Sequence, residues 1–124
     1  MLTIRFEQID VLSEYSLAQF KSHMLDELRA TYPAKTAELS RSGLLALVTR
    51  GIEGAEKYGI EDEADVRRYL HLLTRRGERF PSQDEEVARI LDARGMSGTD
   101  KMDQIDQYEL FVLDSPPSKK GPSR

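Results

Sequence analysis

Apolar positions along this chain recur mostly at intervals of three and four, the pattern of helices that each bury one face. Between Thr3 and Ala30, ahead of the Tyr32-Pro33 break, Ile9, Leu12, Phe20 and Met24 form one stripe, flanked by Leu17 and Leu28. Ile4, Val11, Tyr15, Ala18 and Leu25 fall on the opposite side when each residue advances by about 100°. A helix apolar on two sides needs cover on both, so this first helix is expected at the centre of the fold. A short turn follows around Ala34 to Leu39. Ser40 or Ser42 then caps a helix carrying Leu44, Leu45, Leu47, Val48, Ile52 and Ala55, which Gly59 stops in the left-handed conformation.

Asp62, with Asp65 three residues on, opens the next helix. Its buried stripe is Val66, Tyr69, Leu70 and Leu73, and it ends at Gly77. Ser82-Gln83-Asp84-Glu85 has the form of a capping box ahead of Val87, Ile90 and Leu91, with Gly95 as the stop. Ser97 or Thr99 caps the last helix, in which Met102, Ile105, Tyr108 and Val112 keep helical spacing and Leu110 to Leu113 is apolar all round. The expected fold is therefore an all-α, single-domain bundle of about five helices over residues 1–113. Residues 114–124, rich in Pro, Ser and Lys and without an apolar anchor, are expected to be a disordered tail. One alternative stays open: Leu2, Ile4 and Phe6, and again Tyr108, Leu110 and Val112, alternate with other residues as two short terminal strands would.

Composition then narrows the chemistry. At 124 residues the chain holds one core, large enough to need neither disulfide nor structural metal. The absence of Cys excludes thiol catalysis, Cys-based zinc sites and iron–sulfur clusters. With 39% hydrophobic and 32% charged residues and a net charge of −4, the composition is that of a globular protein. Neither a signal peptide nor a run of about 18 apolar residues is present, so a cytoplasmic chain is expected. Residues 61–113 carry 8 Lys and Arg against 13 Asp and Glu, a field that repels nucleic acid.

Candidate catalytic or metal sites are few. His23 and Glu27 stand four apart, the minimum for two ligands on one helical face, but no further His or Cys pair completes a site. Asp10 and Glu14 have the spacing of an acid–base pair and read more simply as a solvated helix edge. No phosphate loop, nucleophile elbow or His-Glu-x-x-His helix occurs. Neither catalytic residues, cofactor nor metal are therefore assigned. The clearest exposed pattern is cationic: Arg68, His71 and Arg75 at i, i+3 and i+7 stack on one flank, with Arg67 and Arg76 beside them. Such a flank could hold a phosphate or a partner's carboxylates, although basic residues late in a helix also suit its dipole.

Several short motifs carry a family resemblance. Tyr58-Gly59-Ile60, Asp65-Val66, Tyr69-Leu70, Leu72-Leu73, Gly77 and Phe80, preceded by Met1-Leu2-Thr3-Ile4-Arg5 and Tyr32-Pro33, resemble a family of small, mostly uncharacterised bacterial proteins. Ile90-Leu91 and Lys101-Met102 extend the resemblance, which covers about residues 1–105, while the chain departs from it in having Pro81 after Phe80 and no Trp. Members are often encoded beside type VI secretion spike and effector genes. The resemblance implies a non-enzymatic accessory protein, adaptor- or immunity-like, whose partner is a secretion effector or spike component; an unrecognised small enzyme and an anion- or nucleic-acid-binding module are the alternatives. Arg67, Arg68, His71, Arg75 and Arg76 are the first expected partner-binding residues. Leu110 and Phe111, at the apolar end of the last helix, are the second.

Overall fold

The computed structural model describes the backbone of residues 11–113 and the side chains of residues 16–111. Helices α1 (Val11–Thr31), α3 (Arg41–Lys57), α4 (Glu63–Arg76), α6 (Glu85–Asp92) and α7 (Gly98–Tyr108) are the five long elements, joined by the single turns α2 (Pro33–Thr36) and α5 (Phe80–Gln83). A π-helical turn, Glu109–Leu113, continues α7. No strand occurs among the described residues, so Tyr108, Leu110 and Val112 do not form the alternative terminal strand. Residues 1–10 and the predicted tail lie outside the described residues.

Local chemistry explains where most helices begin and end. The Ser40 side chain accepts from Gly43 N at 3.0 Å and caps α3, and Ser97 does the same for α7 through Asp100 N. At the end of α3, Ile60 N bonds Ala55 O and Gly59 N bonds Glu56 O, a Schellman motif made by Gly59 at φ 77°. The α6 cap differs from expectation. Phe80-Pro81 starts its own turn, Ser82 lies within it, and Asp84 takes over as cap by accepting from Glu86 N and Val87 N. Asp65 does not complete a capping box either; it bonds to Arg68 and Thr99 instead.

The predicted stripes pack together. Phe20, Met24 and Leu28 of α1 meet Leu44, Val48 and Ile52 of α3, and Val87, Ile90, Leu91, Met102 and Ile105 close the other side. The centre, however, is α4 and not α1. It touches α1, α2, α3, α5 and α7, and buries Val66, Tyr69, Leu70, Leu72 and Leu73. Full burial of each such aliphatic side chain contributes about 1.5–3 kcal/mol. Of the second strip expected on α1, Leu25 is buried but Ala18 is exposed, while the remaining side chains lie outside the described residues.

Two close approaches set the helix positions. A Cβ on Gly51 would lie 2.4 Å from Leu70 Cδ2 and 2.9 Å from Leu73 Cδ1, so the missing side chain lets α3 settle against α4. Gly98 sits against the backbone of Gly59 and Ile60, bringing the start of α7 to the end of α3. Beside it, the buried Lys101 ammonium donates to Tyr58 O at 2.9 Å and Leu91 O at 2.6 Å. Both carbonyls belong to helix C-terminal ends, where the dipole favours a cation, so one side chain ties α3, α6 and α7.

Candidate functional site

The cationic flank of α4 is built as expected, with Arg68, His71 and Arg75 stacked by helical spacing and Arg67 and Arg76 adjoining. Its partners, though, come from within the chain. Arg67 Nε donates to Glu27 of α1 at 2.8 Å. Arg68 holds Asp65 at 2.9 Å and both Asp103 and Asp106 of α7 at 2.7 Å. Arg75 and Arg76 converge on Glu109, whose carboxylate is buried, the Arg76 bond measuring 2.8 Å. The flank is thus an internal zipper, each of its four arginines paired with a carboxylate of the chain itself. Its register runs Asp65 with Thr99, Arg68 with Asp103 and Asp106, then Arg75 and Arg76 with Glu109, so α4 and α7 lie parallel.

His71 occupies the middle of a hydrogen-bonded chain. Its Nε2 is 2.5 Å from Glu27 Oε2, its Nδ1 is 2.8 Å from Tyr32 Oη, and Arg75 Nη1 donates to that same phenol oxygen at 3.3 Å. The tautomer with hydrogen on Nε2 satisfies every member: Nε2–H donates to the carboxylate, and the Tyr32 hydroxyl donates to Nδ1 while accepting from Arg75. Both imidazole nitrogens are then occupied internally. The chain couples α1, the start of α2 and α4 at one point.

Electrostatics reinforce these contacts. The hydrogen bond from Arg67 is the main influence holding the Glu27 carboxyl below the ordinary carboxylate range, against the opposing effect of burial. Burial works against the charge on Arg68, yet its bonds to Asp106 and Asp103 outweigh that and hold the guanidinium above its ordinary value. An open cleft of about 470 Å³ runs over this face, lined by Arg67, Arg68, His71 and Arg75 with Glu27 and Asp106. Arg67 and Arg68 form ion pairs with four carboxylates, Glu27, Asp65, Asp103 and Asp106, so acid predominates along the first half of the flank.

Among the described residues no group of three or more His, Asp and Glu is placed to hold a metal. His23 is exposed, and Glu27 serves Arg67 and His71 instead. No described helix is long and apolar enough to cross a membrane. The second predicted site has a different character. Leu110 and Phe111 are 61% and 70% exposed, immediately after the buried Glu109.

Sequence reasoning missed Glu27, Tyr32, Asp103, Asp106 and Glu109 as members of this network. The available signal was the spacing of Asp103, Asp106 and Glu109, which places three acids along one side of α7. Comparison with family models, with curated proteins and with solved structures finds no match for this chain.

Proposed function

We propose that this chain is a non-enzymatic interaction protein, an adaptor- or immunity-like accessory partner of a type VI secretion effector, and that it docks through the apolar end of α7. The observation that carries the docking site is the exposure of Leu110 and Phe111 directly beyond a carboxylate pinned by two arginines. Exposed large apolar side chains on an anchored helix end are suited to a groove on another protein. The secretion context rests on the family resemblance. The α4 arginines, engaged with internal carboxylates, serve the bundle in this reading rather than the partner.

Aromatic anchors that enter a partner's pocket typically dominate binding, and truncating one costs about 2 kcal/mol or more. The test is affinity capture from the native host with the tagged full-length chain, followed by identification of what co-purifies. A secretion effector or spike component should be retained by the parent chain and lost with Leu110→Ala/Phe111→Ala in a protein that keeps its helical spectrum. A monomer that captures nothing and turns over a small substrate would overturn the proposal.

A further inference from the structure

Glu27, His71 and Tyr32 stand in the order carboxylate, imidazole, hydroxyl, the arrangement by which a hydroxyl is made nucleophilic. Glu27 Oε2 accepts from His71 Nε2 at 2.5 Å, which turns the Nδ1 lone pair to Tyr32 Oη at 2.8 Å, and Arg75 Nη1 donates to the same phenol oxygen at 3.3 Å. Helix α1 supplies the carboxylate, the residue ahead of α2 the phenol, and α4 both the imidazole and the guanidinium. We propose that Tyr32 is a covalent acylation site, whose phenol takes an acyl group from an activated ester with His71 as its general base.

In the step, Tyr32 Oη attacks the ester carbonyl carbon while its proton passes to His71 Nδ1. The new O–C bond forms, the bond to the leaving oxygen breaks, and the departing oxyanion recovers the proton from the imidazolium or from water that the imidazolium protonates. Glu27 is a positioning residue: it fixes the tautomer and steadies the imidazolium that forms. Arg75, donating to Oη, favours that oxygen as it gives up its proton. Its other terminal nitrogen is held by the buried Glu109, which sets the guanidinium so that Nη1 reaches Tyr32. Glu27, His71 and Arg75 are all partly exposed and line the open cleft of about 470 Å³, which gives an ester a path to the phenol. Docking through Leu110 and Phe111 takes no part in this chemistry, so either reading can fail alone.

The other described tyrosines stand in different settings. Burial pushes the Tyr69 phenol above its ordinary value. The Tyr108 phenol is raised as well, by burial and then by its bond to Asp84, a carboxylate that holds its proton in place. Tyr58 packs edge-on against Tyr69. Because Tyr58 and Tyr108 are half-buried like Tyr32, exposure alone would have the three react alike.

The experiment treats the full-length chain with p-nitrophenyl acetate at neutral pH and maps the acetyl groups by peptide mass spectrometry before and after hydroxylamine, which cleaves acetyltyrosine and spares the amides formed on lysines. A hydroxylamine-labile acetyl group should appear on Tyr32 at least about tenfold faster than on Tyr58 or Tyr108, and His71→Gln, which keeps a donor and an acceptor but has no base, should slow it by about 100-fold. Glu27→Gln should slow Tyr32 while leaving Tyr58 at the parent rate, and Glu27→Asp, which restores the charge, should recover part of the loss. Acetylation spread evenly over Tyr32, Tyr58 and Tyr108 in the parent chain would overturn the site whatever the variants do. A Tyr32 rate that His71→Gln leaves unchanged in a folded protein would overturn the relay.

Discussion

Glu109 is the position where removing one charge should be felt most. Its carboxylate is only 4% exposed as a residue and takes bonds from both Arg75 and Arg76, which are themselves partly exposed. Glu109→Gln keeps the shape and one acceptor but removes the charge, leaving two guanidiniums to share a neutral oxygen. A hydrogen bond to a charged group contributes about 1.5–3 kcal/mol, and breaking a fully buried ion pair costs about 3–5 kcal/mol. Solvent screening of the two arginines and the surviving bond reduce the second figure, so about 2 kcal/mol is the expected loss. At about 4 °C per kcal/mol for a chain of this length, the thermal unfolding midpoint should fall by about 8 °C. Urea unfolding should show a lower midpoint with an unchanged slope. Glu86→Gln is the control, because Glu86 pairs with Arg89 on the open surface of α6 and its loss should not move the midpoint. If the two variants unfold alike, Glu109 does not anchor α7 and the zipper is decoration on a fold held by its apolar core.

Gly51→Ala adds a methyl group 2.4 Å from Leu70 Cδ2, and because Leu70 and Leu73 are buried the clash should cost about 1–3 kcal/mol in urea unfolding despite alanine's better helix propensity. For Glu27, whose carboxyl is depressed from 4.5 chiefly by the Arg67 hydrogen bond, the sign is that of a paired acid: its contribution is present above its unfolded value and lost as pH falls through the lower folded value. Arg67→Ala should therefore flatten the fall in stability below about pH 4.5, read as urea midpoints at a series of acidic pH values.

The long helices were legible because their buried residues really do follow helical spacing: Leu44, Val48, Ile52 and Ala55 on α3, or Val87, Ile90 and Leu91 on α6. Gly59 and the Ser40 and Ser97 caps were legible for the same local reason. Which helix is central was not. The case for α1 depended on a second strip in which Ala18 turns out exposed, whereas α4 buries Asp65, Leu72 and Thr74 off its apolar stripe, through contacts that periodicity does not encode. The cationic flank shows the same division. Spacing placed Arg68, His71 and Arg75 together, but their carboxylates stand 34 to 44 residues away for the Asp103, Asp106, Glu109 and Glu27 contacts, and only the parallel packing of α4 on α7 and the docking of α1 bring them near. Ser82 was a plausible cap by motif and lost that role to Asp84 because Phe80-Pro81 begins a separate turn.

The central claim separates two duties, with the α4 arginines holding the bundle and Leu110 with Phe111 holding the partner. The dissociation constant of a protein partner captured as proposed, measured by biolayer interferometry for the parent chain, Phe111→Ala and Arg67→Ala, tests it most directly. Arg67 is the suitable comparison because its side chain is 56% exposed and its pairing with Glu27 is peripheral to the core. Phe111→Ala should weaken binding by about 30-fold or more, the equivalent of a 2 kcal/mol anchor, while Arg67→Ala stays within about twofold of the parent. Binding that survives Phe111→Ala and fails with Arg67→Ala, in variants that both remain folded, would contradict the account and return the partner site to the arginine flank.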